Sequence, residues 1–522
     1  MINNHIFLKI THTVYYAILA VFCVFSMIHL DKYYIMFQHN IGIILSSMVL
    51  IGICYVVWIR VFQKIAERRK NLIPLYFVIF GWMICNALLI LKVATPAGWD
   101  SFELTHGAQF DFDNARYFVT YPNNVFPTLL LSGWWKGLSF LPISPYRIMV
   151  LLNLLCVYIA LILLVICADK LGGHTMAYKV AFWSLLIIGT NPCLSIVYTD
   201  TMVLPFLVGF LYCLLSIRDL KPSDNMPDKK KSCSYMIYMS LYGGIAALCV
   251  VLGILIKPTT IIILISTFII TLISLEFFRW KRKEWIVLFI AICLGVLGYA
   301  GVQKIEEPIT QRLRREAPEV RAKSPLHYIC MGLTEPVEAT GGYGSYSQEE
   351  VTWTNDHIMD DSYTLKAMER ISGKIKDFGF FGLVRHQWNK LVWMGSDGSF
   401  AYGMEGGYHI DPQSSQGTLR GKLQNMFYTE TDFYQKYVGN FLQAGWILFL
   451  FICLLQYPKR IREEKTNYYI CIAELAVIGM VLFLSIFENR SRYLFQYLPF
   501  FLLAGVGVGG RDIICLGSTW HR

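Results

Sequence analysis

Four acids, Asp100, Glu103, Asp111 and Asp113, fall within fourteen residues, directly after an apolar run over 72–91. A charge at the centre of a bilayer costs at least ~2.5–3.5 kcal/mol, so these acids belong at a membrane surface, where the cost is small. There a carboxylate is placed to serve as a base toward a substrate with a lipid tail and a polar head. Three further polar patches cut into apolar sequence: Tyr198-Thr199-Asp200-Thr201, Lys257-Pro258-Thr259-Thr260 and Glu488-Asn489-Arg490-Ser491-Arg492-Tyr493. A carboxylate and three cations on one membrane face suit a phosphate-bearing lipid, since Arg offers planar multidentate contacts and Lys a compact charge. The matching reaction is transfer from a lipid phosphate. The departing phosphate gains negative charge that fixed cations stabilise, and the attacking hydroxyl gives its proton to a carboxylate. Asp100 with Lys257, Arg490 and Arg492 supplies both halves, and Glu103 lies one helical turn further on the same face.

Each patch also has a plainer reading. Asp200 precedes an apolar run and would serve as a helix cap. Lys257, Arg490 and Arg492 could snorkel from helix ends. Asp111-Phe112-Asp113 has a metal-binding form, yet a hard cation needs more oxygen ligands than the motif supplies; no cofactor is firmly implied, and a divalent metal is possible but not required. Trp353, Trp388 and Trp393 could face a sugar or pack a core. Glu474 lies within an apolar run, where an acid raises a proton-relay or ion-path reading; pairing with a local partner is the alternative. Gly341-Gly342-Tyr343-Gly344 and Gly406-Gly407 lack the strand–helix context and the Gly-Lys-Ser/Thr ending of a phosphate loop, and read as turns.

The elements that must position these residues are membrane helices. Of 522 residues 55% are hydrophobic and 16% charged, against about 25% charged in soluble domains. Apolar runs long enough to cross a ~30 Å hydrocarbon core occur at 11–30, 41–59, 72–91, 148–168, 177–198, 202–217, 235–256, 259–275, 285–302, 441–457, 468–487 and 493–509, with a weaker one at 125–141. The net charge of +10 is dispersed in short clusters between these runs, which signals topology and not nucleic-acid binding. The fourteen cysteines include no CxxC pair, and read as small buried hydrophobes. The N-terminal run lacks a convincing cleavage site and reads as a retained first span.

Basic clusters at 60–70, 229–231, 279–283 and 459–465 mark the cytoplasmic side. The acidic segment 94–121, the 200 region, Lys257, the stretch 304–437 and the turn at 488–492 then lie outside. Four apolar runs separate the acidic segment from the 229–231 cluster where an odd number is needed, which makes 125–141 re-entrant or interfacial. The expected fold is an all-α polytopic membrane protein of about 12–13 transmembrane helices. Its parts are two N-terminal spans (1–70), a transmembrane core with an outer catalytic loop at 94–124 (71–303), a mixed extracytoplasmic domain (304–437) and a three-span C-terminal segment (438–522).

These patches resemble the lipid-phosphosugar-dependent integral membrane glycosyltransferases of the GT-C fold group, related to protein mannosyltransferases and aminoarabinose transferases. They look most like the Gram-positive branch that decorates cell-wall polymers. The resemblance rests on Gly98-Trp99-Asp100, Tyr121-Pro122-Asn123-Asn124, Tyr198-Thr199-Asp200-Thr201, Lys257-Pro258, Gly341-Gly342-Tyr343 and Glu488-Asn489-Arg490-Ser491-Arg492-Tyr493, and spans roughly 95–495. It implies Asp100 as base, Lys257 and the arginines on the donor phosphate, and Tyr121, Asn123, Asn124, Asp200 and Tyr493 in the substrate site. It also implies an inverting enzyme of the bacterial plasma membrane, with a polyprenyl-phosphate sugar as donor and a cell-wall or surface polymer such as teichoic acid or polysaccharide as acceptor, acting on the extracytoplasmic face. The chain departs from the better-known pattern in having two preceding spans and in spacing Asp100 and Glu103 three apart. A transporter or flippase of lipid-linked saccharides, or a polymerase or ligase using lipid diphosphates, are the rival readings. No inverted repeat or pair of broken helices supports the transporter.

Overall fold

The computed structural model describes residues 4–28, 37–69, 71–220, 228–274, 282–336, 342–402, 417–462 and 467–506. Gly341, Gly406-Gly407, the basic cluster at 279–281, the end of the last expected span and the side chains of Lys229–Lys231 lie outside the described residues. The described chain is an all-α polytopic membrane protein. Nine of its helices are long and apolar enough to cross a membrane.

The first three are α1 (Asn4–Ile28), α2 (Ile41–Arg69) and α3 (Ile73–Val93). Side chains such as Val49, Ile53, Phe77, Phe80 and Leu88 stay exposed on the outside of the bundle, as expected of a surface solvated by lipid tails. The inside is a continuous aromatic core in which Trp183, Trp446, Phe449 and Phe501 pack within 5.6–6.0 Å of one another in successive pairs. The two N-terminal helices are part of this bundle and not an appendage: α1 packs on the helices at 439–454 and 468–486, and α2 on those at 145–184 and 439–454.

Three short helices follow at one end of the bundle: α4 (Trp99–Gln109), α5 (Ala115–Thr120) and α6 (Val125–Gly137). α6 covers the ambiguous stretch at 125–141. It is 13 residues long, about 20 Å. It starts beside Tyr117 through Asn124 and ends with Trp134 Nε1 donating to the Ile148 carbonyl at 2.8 Å. Both ends of α6 therefore lie at the same end of the bundle.

α7 (Pro145–Ser184) contains a break at Gly172-Gly173, where Gly173 sits at φ 70°. Glycine adopts that left-handed backbone without a Cβ clash. Tyr146 and Asn153 near the start of α7 donate to the carbonyls of Ser195, Leu194 and Ile196, so the chain doubles back at the glycine pair. The two expected spans at 148–168 and 177–198 are these antiparallel arms. α8 (Thr199–Met202) and α9 (Leu204–Asp219) then lead away from the site end, α10 (Asp228–Ile256) returns, and α11 (Ile261–Ile273) leaves again after a tight turn at Pro258–Thr260.

α12 (Arg282–Glu316) is 35 residues long, about 52 Å, and carries its polar end beyond the bilayer thickness. The polar stretch after it holds α13 (Pro325–Gly332), α14 (Gln348–His357), α15 (Tyr363–Gly395) and α16 (Leu419–Gln424). It was expected to be mixed; among its described residues it is helices and loops without a strand. Its sequence offers helix starts, such as Ser347 accepting from the Glu350 amide, and few alternating apolar runs. It is also built onto the membrane helices, with α15 against α1, and both α13 and α15 against the helix at 468–486. α17 (Gly439–Leu454), α18 (Tyr457–Arg462), α19 (Tyr468–Ile486), α20 (Arg492–Phe495) and α21 (Leu498–Gly505) complete the chain. α19 leans on α1, α11 and α13.

Candidate active site

The site is assembled from loops and helix ends gathered at one end of the bundle. Trp99 opens α4 with a left-handed backbone, φ 55°, a conformation costing roughly 1–2 kcal/mol in a residue with a side chain. Its ring leans on Tyr346, centroids 6.0 Å apart. Asp100 follows, half-buried in the first turn of α4.

Asp100 Oδ1 accepts a 2.8 Å hydrogen bond from the Tyr117 hydroxyl. The Asn124 amide donates to that same hydroxyl at 2.6 Å, and Asn123 donates to the Asn124 carbonyl oxygen at 3.1 Å. The relay runs in one direction, each donor polarising the next, and ends on the carboxylate. Asn123 and Asn124 are thus connected to Asp100 through Tyr117, a residue that the sequence alone did not single out.

Glu103 belongs to a different arrangement. Both of its oxygens accept from the Asn114 amide at 3.0 Å, and Asn114 in turn caps α5. Burial raises the Glu103 carboxyl above its ordinary range, with Asn114 opposing the shift. Asp111 and Asp113 turn to separate partners: Arg312 at 2.6 Å and His106 at 3.1 Å. Their spacing in sequence does not become a shared site in space.

Lys323, from the loop between α12 and α13, also enters the site. Its ammonium donates to the Tyr121 hydroxyl at 2.9 Å. Burial lowers its pKa to about 8, with Glu488 and Asp100 pulling it back up. The same two carboxylates and burial raise the Tyr121 and Tyr328 hydroxyls, burial contributing most in each case. Asp100, Glu488, Lys323, Tyr121 and Tyr328 are therefore one electrostatic cluster. Lys323 was not visible as a site residue because no motif surrounds it.

A second group adjoins the first. Asp200 is almost fully buried and takes Lys257 on one oxygen at 3.0 Å and Arg492 on the other at 3.4 Å. Its side chain caps no helix, since Tyr198 occupies that position without a side-chain cap bond. Arg492 lies 3.8 Å over the Tyr198 ring, while Lys257 stands 4.8 Å from the centre of the Tyr493 ring. Tyr493 joins the two groups, for it lies within electrostatic range of Glu488, Arg490, Arg492 and Asp100. Arg490 itself faces Glu488 at 3.5 Å.

The turn carrying these arginines is held from behind. Lys390, buried, donates to the carbonyls of Gly332, Ser485 and Phe487 at 2.9–3.0 Å. Asn489 donates to the carbonyls of Gly344, Tyr343 and Lys390. Gly344 is left-handed at φ 68° and a Cβ there would strike Lys390. Tyr343 and Gly344 of the glycine stretch therefore brace the 487–492 turn. Of the three tryptophans, Trp393 is buried against Gly342, Trp353 stacks on His357, and Trp388 lies exposed beside Phe25. None faces Asp100 through a described contact.

Glu474 lies far along α19 and pairs with His12 of α1, with Cys471 Sγ 3.8 Å from the other ring nitrogen. These three are the group of ligand-type side chains among the described residues close enough to share a metal ion. The local-pairing reading of Glu474 fits this contact.

A family model described as "conserved hypothetical integral membrane protein" matches residues 2–508, and the chain belongs to that family. No curated protein and no solved structure matches it.

Proposed function

We propose that this integral membrane protein is an inverting glycosyltransferase of the GT-C type, which moves a sugar from a polyprenyl phosphate to an acceptor on the extracytoplasmic face. The observation that carries the reading is the one-way Asn123–Asn124–Tyr117–Asp100 relay standing with Lys323 and the Glu488–Arg490 pair. The Tyr117 hydroxyl fixes the direction of the Asp100 carboxylate, the group that takes the proton in this reading. The acceptor hydroxyl attacks the anomeric carbon and yields its proton to Asp100. The bond from that carbon to the phosphate oxygen breaks, and the polyprenyl phosphate leaves with the electron pair.

The cations then answer the charge that grows on the leaving phosphate. Lys323 and Arg490 stand nearest to the Asp100–Glu488 cluster. Lys257 and Arg492 are held by Asp200, so the three together offer about one net positive charge. Asp200 thus acts on the site as a positioning residue. The outward orientation rests on the charge rule, with the basic clusters at the other end of the helices. A cell-wall or surface glycopolymer is the acceptor this orientation suits.

The test uses purified protein in lipid nanodiscs with a radiolabelled polyprenyl-phosphate sugar. Release or transfer of the sugar that vanishes in Asp100→Asn, with donor binding retained, supports the reading. Movement of intact donor between leaflets without bond cleavage overturns it in favour of a flippase.

A further inference from the structure

A cavity of about 510 Å3 opens on the flank of α4 away from Asp100. Phe102 comes two residues after Asp100, about 200° round the helix, and His106 and Phe110 continue the wall it begins. His106 stacks on Phe102 with centroids 4.9 Å apart and an interplanar angle of 19°, and lies 4.4 Å from the Phe110 ring. The His106 Nδ1 is engaged by Asp113 at 3.1 Å, which fixes the ring in the stack. The stacked rings give this side of the cavity an apolar wall.

The facing wall carries Arg147, from the start of α7, and Arg420, from the start of α16. Neither has an acidic partner among the described residues, and Arg420 Nε is buried with no acceptor there. Two like charges lining one cavity repel unless an anion joins them, and guanidinium groups are shaped to take phosphate or carboxylate oxygens in pairs. Opposite them, an apolar wall is suited to the less polar side of a sugar ring, as in pockets that combine apolar lining with a few placed charges.

We infer that this cavity binds an anionic saccharide, a sugar unit bearing a phosphate or a carboxylate, with Arg147 and Arg420 on the anion and the Phe102–His106–Phe110 wall against the ring. Its assignment as the acceptor subsite rests on the transferase reading; the binding itself does not. One helix then separates the two halves of the reaction. The base projects from one flank, and the charged portion of the polymer anchors on the other.

Saturation-transfer NMR on the full chain in phosphatidylcholine nanodiscs tests this, with glucose 6-phosphate, glucuronate and glucose as probes. The charged sugars should bind at least about tenfold more tightly than glucose, the equivalent of one charge-assisted contact. R147Q/R420Q should erase that difference, and F110A should weaken all three sugars alike. Equal binding of glucose and the charged sugars, or a preference that survives R147Q/R420Q, overturns the proposal. So does loss of charged-sugar binding when phosphatidylglycerol replaces part of the phosphatidylcholine, since that outcome makes the cavity a lipid headgroup site. If the wild type fails to cleave the polyprenyl donor, the transferase reading falls and charged-sugar binding still stands. If it cleaves the donor and binds no charged sugar, the subsite alone falls.

Discussion

The Tyr117 hydroxyl stands between the Asn124 amide and Asp100, giving its proton to the carboxylate at 2.8 Å while accepting from the amide at 2.6 Å. A hydroxyl so used has no freedom to rotate, and the Asp100 oxygen it holds is fixed in direction.

Removing that hydroxyl should therefore lower transfer without abolishing it. Tyr117→Phe is expected to reduce the rate by about 10–100-fold, the range for a hydrogen bond to a charged group. Asp100→Asn should cost about 100–10,000-fold, as loss of a general base does. Initial rates with the radiolabelled donor check both. A Tyr117→Phe enzyme as inactive as Asp100→Asn would mean that the tyrosine itself touches the reacting atoms.

Asp200 is buried between two cations, and its removal leaves both uncompensated. Asp200→Ala should destabilise the protein by about 3–5 kcal/mol, as breaking a buried pair from one side does. Thermal unfolding in detergent measures it. Adding Lys257→Met to Asp200→Ala should recover part of the loss; no recovery would show that Asp200 acts through something other than charge.

The lysine at 323 sets a pH limit. Its pKa of about 8 lies below the ~10.4 of an unfolded chain. Between these values the unfolded state binds the extra proton, so this group's contribution to stability rises as pH climbs from about 8 toward 10. Activity runs the other way, because the protonated ammonium is the form that meets a phosphate. Transfer should fall through pH 8 while the unfolding temperature holds or rises, and Lys323→Met should remove the alkaline limb of the rate profile. An unchanged limb in that variant assigns it elsewhere.

Glu474 and His12 form a contact inside the bundle, away from Asp100. Glu474→Gln should lower the unfolding temperature and leave the transfer rate within about twofold, since the pair touches no proposed substrate group. A folded variant that has lost transfer would restore the proton-path reading of this acid.

Much of the framework was legible because apolar length is a direct consequence of bilayer thickness. The runs at 148–168 and 177–198 kept their identity because the Gly172-Gly173 pair within α7 marks the reversal between them. What the sequence hid was the partnership of residues far apart in the chain. Lys323 meets Tyr121 across 202 positions, and a lone lysine in a polar loop carries no pattern. Asp200 read equally well as a cap, because capping and pairing with cations use the same residue type. The polar stretch at 304–437 looked like a separate unit for want of long apolar runs, yet Lys390 and Asn489 tie it to α19 and the arginine turn.

α12 joins the bilayer to the first of these loops without a break in its hydrogen-bonded course, apart from Pro308 within it, and Arg312 on its far end grips Asp111 through both side chain and backbone. Rotation therefore travels along it as well as position. One residue inserted between the buried part and Arg312 would turn that guanidinium by about 100° away from Asp111, whereas an insertion of seven would bring it nearly back into phase. The loop that carries the proposed base is thus indexed to the angular setting of a helix that reaches it from the far end of the bundle.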